Sequence, residues 1–147
     1  MKKISCMTKN SFRALLIMSL LVCFNLTASA TSWVQVSDQY TYIDKDTVIK
    51  DGDMIFYWDL YIDPEGYYKR LIQYGVRTDL SPLHAWIIQG FLYDQDDKFN
   101  SDIIRPHSLA IQPGSYQEKA FNFALTFAHE GKLVYDVPKL PHLSDKK

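Results

Sequence analysis

The chain has 147 residues, of which 47% are hydrophobic and 14% aromatic, and its formal net charge is −1. The first 30 residues carry four of the 16 Lys and Arg and none of the 17 Asp and Glu, so residues 31–147 have a net charge of −5. Nucleic acids and anionic lipids bind basic surfaces, and this acidic balance argues against both as partners. The 117 residues from position 31 are enough for one domain that buries about two-thirds of its unfolded surface.

The N-terminus has the three parts of a cleavable secretory signal. Four basic residues come first, namely Lys2, Lys3, Lys9 and Arg13. An uncharged apolar run follows over 14–24, and it is shorter than the about 20 residues that a membrane-spanning helix needs. Small residues occupy positions 28–30, which predicts cleavage between Ala30 and Thr31. We therefore expect export to the periplasm or the cell surface, with no stable membrane span after cleavage.

Two other fates of this segment stay open. It could remain uncleaved as an anchor, although its length and flanks argue against that. Cys23 follows an apolar run, as a lipidated cysteine does, but the bulky Val22 stands where a small residue is required. Both cysteines, Cys6 and Cys23, lie in the signal. The mature chain is therefore predicted to have no disulfide and no thiolate ligand or nucleophile.

Short strands joined by tight turns are predicted between residues 33 and 93. The segments rich in β-forming residues are Trp33–Val36, Tyr40–Asp44, Val48–Ile49, Met54–Ile62, Tyr67–Val76 and Ala85–Tyr93. Asp51-Gly52 is the strongest hairpin signal, and Asp63–Gly66 predicts a second turn. In Met54–Ile62 the even-numbered residues are apolar, so we expect that face to lie in the core. Short turns indicate antiparallel pairing.

The pattern changes after residue 93. The acidic segment Asp94–Asp102 predicts a surface loop, and Ile103–Ile111 predicts a last strand that Pro106 weakens. The capping box Ser115-x-x-Glu118 and helical spacing of apolar residues predict a helix over 116–130 that Gly131 ends. The prediction is an α+β domain over 31–135, an antiparallel meander of about five or six strands with one C-terminal helix packed across it, followed by a flexible tail over 136–147.

No pattern of catalytic chemistry stands out in the sequence. The four histidines have no metal-ligand spacing: His84, His107, His129 and His142. The acidic segment departs from a calcium loop, because Phe99 stands where glycine is needed and Arg105 where the bidentate glutamate belongs. A Gly-x-Ser-x-Gly elbow and a Gly-rich phosphate loop are both missing from the sequence. We therefore predict no catalytic residue, no cofactor and no metal site.

Four segments together carry a resemblance to a known family. They are Trp33-Val34-x-Val36, Tyr42-Ile43-Asp44, Asp51-Gly52-Asp53 before the strand that holds Trp58, and Ile111-x-Pro113-Gly114-Ser115-x-x-Glu118. In order and spacing they resemble the bacterial surface-adhesin protein E-like family. The resemblance implies a small antiparallel sheet with a packed helix. It also implies a role in binding host proteins, such as extracellular-matrix components or plasminogen.

The leading functional expectation is therefore an exported, non-enzymatic binding protein of the adhesin E type. A periplasmic accessory protein that binds an envelope partner is the alternative, an enzyme of unrecognised class is less favoured, and a homodimer is left open. Lys146 and Lys147 suggest one binding hypothesis, because a C-terminal lysine combines an ammonium group with a free carboxylate, the pair that kringle modules of plasminogen-type proteins recognise. The alternative is a solvated end without function.

Overall fold

The computed structural model describes residues 32–36, 40–103 and 108–141. Helix α1 is Tyr116–Leu125, and a 3₁₀ turn, Lys45–Thr47, follows the second strand. The strands are β1 Trp33–Gln35, β2 Thr41–Asp44, β3 Ile49–Asp51, β4 Met54–Ile62, β5 Tyr68–Arg77, β6 His84–Asp94, β7 Phe99–Asp102, β8 Ser108–Ala110 and β9 His129–Glu130. The predicted α+β meander with one helix is confirmed, with about nine strands instead of five or six.

The larger number of strands arises because two positions of the sheet are each shared by two short strands. The order across the sheet is β1-β2-β4-β5-β6-β7, while β3 also pairs with β4 and β8 with β6. Thus β2 and β3 lie along one edge of β4, and β7 and β8 along one edge of β6. The described pairs are antiparallel except for β3 and β9. The long strands β4, β5 and β6 form the centre.

The predicted turns form where glycine permits positive φ. Gly52 has φ +62° in the turn from β3 to β4, and Gly66 has φ +80° in the turn from β4 to β5. In the second turn the Asp63 carboxylate accepts the Tyr67 N–H at 3.2 Å, an arrangement that favours aspartate at this position. These turns place β3, β4 and β5 side by side with little loop between them.

The even-numbered face of β4 lies in a core as predicted, and the odd-numbered face is covered as well, where the prediction had one face in the core. Ile55 and Tyr57 pack with Phe121 and Ala124 of α1 on one side. On the other side, Trp58 and its neighbours form a second cluster, completed by Leu60, Leu71 and the partly buried Leu140. Residues 55–60 are consequently all buried. The second cover is supplied by residues 132–141, which we call the C-terminal strap.

Helix α1 ends at Leu125, earlier than predicted. Its start is as expected, since Ser115 Oγ accepts the Glu118 N–H at 3.2 Å, although the Glu118 carboxylate accepts the N–H of Gly114. After the helix, the chain bonds to β3 instead: the His129 N–H donates to Val48 O and the Gly131 N–H to Lys50 O. These sheet bonds compete with helical ones. Residues 127–130, which were predicted to be the last turn of the helix, are therefore not helical, and His129 lies in β9.

The acidic segment after β6 is mostly a hairpin, which corrects the prediction of a loop over Asp94–Asp102. Strand β6 runs to Asp94 and β7 begins at Phe99. Asp94 Oδ1 accepts the N–H groups of Asp96 and Lys98, each at 2.9 Å, and so shapes the short turn. Of the predicted last strand Ile103–Ile111, residues 108–110 form β8, and residues 104–107, with Pro106, lie outside the described residues.

Candidate functional site

An aromatic array lies on the face of the sheet opposite α1. Trp58 of β4 stacks on Phe91 of β6 with ring centroids 6.2 Å apart. Phe99 of β7 meets Phe91 edge-on at 6.4 Å and Tyr93 at 6.3 Å. These distances are those of favourable aromatic pairs. The array leads from a buried end to an open one, because Trp58 is 1% exposed and Phe99 58% exposed.

Strand β7 carries the exposed end of this array. Among residues 32–36, 40–103 and 108–141 it is the last strand in the sheet order, and all four of its residues are exposed. The outer edge of such a strand presents backbone N–H and C=O groups that another chain can pair with. Because Phe99 projects at the same place, an incoming chain would meet both backbone groups and an aromatic side chain.

Acidic side chains surround this end of the sheet. Asp94, Asp96 and Asp97 belong to the turn before β7, and Asp102 ends the strand. Lys69 of β5 forms an ion pair with Asp97 across the turn. Aromatic surface with carboxylates at its border favours a partner with apolar and basic side chains, since opposite charges guide association.

The C-terminal strap covers the buried end of the same face. Gln73 Nε2 donates to Val134 O at 2.8 Å, and Gln89 Nε2 donates to Tyr135 O at 2.9 Å. The Gln89 amide also donates to Gln73 Oε1 at 2.9 Å, so the two side chains form one hydrogen-bonded pair. Trp33 Nε1 donates to Lys139 O at 2.9 Å. The strap is therefore held through its backbone carbonyls by side chains of the sheet.

The strap differs from the predicted flexible tail over the residues that the structure describes, 136–141. Pro138 is buried and Leu140 packs against the cluster around Trp58. The physical reason is that this face of the sheet is apolar and needs a cover. Outward, the strap exposes Val134, Tyr135 and Val137.

A polar cluster lies under α1 on the opposite face. Asp59 is 1% exposed, and Tyr116 Oη donates to its Oδ2 at 2.7 Å. Burial, helped by the charge of Asp59, raises the pKa of Tyr57 well above its ordinary value and raises the pKa of Tyr74 to about 12. Both phenols remain protonated near neutral pH and are unsuited to accept protons. The cluster joins the first turn of α1 to the sheet.

The residues singled out from the sequence do not come together in one site. Ala30, Thr31, Lys146 and Lys147 lie outside the described residues. So do two of the four histidines, while His84 Nδ1 lies 2.9 Å from Pro82 O at the start of β6. Over 32–36, 40–103 and 108–141, no group of three or more His, Cys, Asp and Glu is placed to hold a metal ion.

Strand β6 was predicted over Ala85–Tyr93, but the exposed surface on β7 was missed because Asp94–Asp102 was interpreted as a loop. The signal that could have revealed it is the alternation of Phe91 and Tyr93 with the single Phe99 after a short acidic turn. The sequence signal for the strap is weaker. Ile55 and Tyr57 make the odd-numbered face of β4 apolar as well, and a strand with two apolar faces needs a covering segment on each side of the sheet.

No family model, curated protein or solved structure matches this chain. The resemblance to the surface-adhesin protein E-like family therefore stays a prediction. The one helix in the described part of the chain has ten residues, and nothing there has both the length and the hydropathy of a bilayer-spanning helix.

Proposed function

We propose that this chain is an exported, non-enzymatic binding protein that captures a protein partner through the β7 edge. The observation that carries the proposal is Phe99, a large aromatic side chain that is 58% exposed at the end of a packed aromatic array. Aromatic side chains supply much of the binding free energy in protein interfaces, particularly when they are held rigidly. Packing against Phe91 and Tyr93 restricts the Phe99 ring in this way.

The partner class follows from the surroundings of Phe99. The open backbone edge of β7 fits an extended segment, and the carboxylates of the 94–97 turn favour basic residues in it. Host matrix proteins and plasminogen are the partners that the family resemblance suggests. An envelope protein in the periplasm is the alternative partner for the same surface.

The test is binding of residues 31–147 to immobilised fibronectin, laminin, collagen and plasminogen, measured by surface plasmon resonance. Phe99→Ala should weaken any binding about tenfold or more, as loss of an aromatic anchor does. Leu125→Ala is the matched control, because Leu125 is also an exposed apolar residue but lies on α1. Equal binding by wild type and Phe99→Ala would reject this surface.

Cell location separates the two partners. Protease treatment of intact cells should remove the protein if it faces the host and spare it if it is periplasmic. In the periplasmic case, crosslinking in cells should recover an envelope protein with the wild type and with Leu125→Ala, and not with Phe99→Ala. Recovery with all three variants would contradict the proposal.

A further inference from the structure

The strap contains two prolines in a Pro-x-x-Pro spacing, Pro138 and Pro141. Proline fixes φ near −65°, and the residue before a proline avoids helical angles, so Val137 and Leu140 are biased toward extended backbone. Such a segment favours the polyproline II conformation, which repeats every three residues and places the two prolines on one side. Residues 137–141 thus have the local preferences of a proline-rich recognition motif.

The sheet offers this motif aromatic side chains and one ring donor, and we call the surface that they form under the strap the groove. Trp33 Nε1 donates to the carbonyl of Lys139, midway between the two prolines. Pro138 is buried, and Leu140 packs in the cluster of Trp58, Leu60 and Leu71, whose partly buried members are Trp33, Tyr42, Ile62, Phe91 and Tyr93. Aromatic grooves that accept a preformed polyproline II segment are a general mode of peptide recognition.

We propose that the groove lined by Trp33, Trp58 and Phe91 is a binding site for proline-rich segments of Pro-x-x-Pro pattern, and that residues 137–141 occupy it as an autoinhibitory internal ligand. The partner is an extended segment with apolar residues beside its prolines. The groove shares Phe91 with the array under Phe99, but the strap covers the buried end of that array and the β7 edge is its exposed end, so the proposal does not depend on the function proposed above.

The contacts of the strap are of a kind that another segment can replace. Gln73, Gln89 and Trp33 donate to carbonyl groups, which every residue offers, proline included. Between the strap residues Val134 and Val137 the side chains mostly face outward, so few strap side chains contribute to specificity. An external extended segment along the same path can therefore satisfy the same donors, with the Trp33 indole bonding a carbonyl between its two prolines.

Competition with the strap predicts the direction of the mutational effects. A tethered segment acts at an effective concentration in the millimolar range, and an external peptide binds only the fraction of molecules whose groove is open. Weakening the strap should therefore strengthen external binding, whereas removing a groove donor should weaken it. A strap that cannot be exchanged for another segment would show neither effect.

The probe is a fluorescein-labelled peptide of residues 133–142, titrated with residues 31–147 and followed by fluorescence anisotropy. Leu140→Ser should bind it at least about tenfold more tightly than the wild type, because the internal ligand is weakened. Adding Trp33→Phe should then weaken binding about fivefold through loss of one hydrogen bond. Leu125→Ser, the same change at an exposed leucine of α1, is the matched control and should behave as the wild type.

Two results would overturn the proposal. One is equal peptide binding by Leu140→Ser and the wild type; the other is unchanged binding of a peptide with alanine at both proline positions. If circular dichroism shows that Leu140→Ser is unfolded, the wild type is titrated with millimolar peptide while NMR follows the Trp33 indole N–H. That signal should shift with the proline peptide and not with the alanine peptide, and no shift with either rejects the site.

Discussion

Replacement of Trp58 by alanine is the most direct test of the second covered face. The indole is 1% exposed and lies between Phe91, at 6.2 Å between ring centroids, and the apolar cluster with Leu60 and Leu71. A buried aromatic side chain of about 150–250 Å² at about 25 cal/mol per Å² corresponds to about 4–6 kcal/mol, which is an upper estimate. Truncations of this size usually cost about 3–5 kcal/mol, and we expect Trp58→Ala to fall in that range.

The assay is guanidinium unfolding followed by far-UV circular dichroism. Phe99→Ala is the internal control, because Phe99 belongs to the same aromatic array but is 58% exposed, and it should cost less than about 1 kcal/mol. Hydrogen exchange adds a local reading: the Trp33 indole N–H, which donates to Lys139 O, should exchange faster in Trp58→Ala, since Leu140 loses part of the surface on which it packs.

A loss of less than about 1 kcal/mol for Trp58→Ala would refute this reasoning. It would mean that the indole is accessible in solution and that the strap does not cover it. Equal losses for Trp58→Ala and Phe99→Ala would refute it too, because the two positions differ chiefly in burial. Unchanged exchange of the Trp33 indole N–H alongside a large loss of stability would instead limit the error to the contact with Leu140.

Four further outcomes are expected. Ser115→Ala should lower the free energy of unfolding by about 1 kcal/mol, as loss of a helix cap does, and leave partner binding unchanged. The pKa of Tyr74 is about 12 in the folded protein, whereas an unfolded tyrosine has a pKa of about 10. The free energy of unfolding therefore falls as the pH rises between these two values. Tyr74→Phe should reduce that fall by up to about 1.4 kcal/mol per pH unit, measured by urea unfolding at alkaline pH. Deletion of Lys146 and Lys147 should abolish any plasminogen capture that a lysine analogue inhibits; equal capture by both proteins removes the tail hypothesis. Intact mass should place the N-terminus of the exported protein at Thr31, and a mass that fits acylated Cys23 would contradict this.

Elements determined by local pattern were predicted well from the sequence. Strand β4 was predicted over Met54–Ile62, and the structure has the same bounds, because alternation over nine residues is a local signal. The turns at Gly52 and Gly66 also follow from residues within the turn itself. The capping box located the start of α1 for the same reason.

Elements that depend on distant partners were not predictable in the same way. Residues 127–130 have apolar spacing suited to a helix, but β3 provides backbone acceptors for His129 and Gly131. The strap depends on the bond from Trp33 to Lys139, which joins residues 106 positions apart. No window of local sequence contains such a pair, and tertiary contacts override local preference there.

The two covers of the sheet differ in how they can be removed. Helix α1 satisfies most of its backbone groups internally, and its contact with the sheet is mainly apolar, with the Tyr116–Asp59 bond at its first turn. The strap instead relies on donors from the sheet, and Gln73, which is 2% exposed, depends on the strap for its carbonyl acceptor. Simple opening would leave the Gln73 amide without that acceptor unless water replaced it, which carries a cost in free energy. Replacement by another segment that brings its own carbonyl avoids this cost, so exchange is favoured over opening, and a partner with prolines at the spacing of Pro138 and Pro141 is best suited to it.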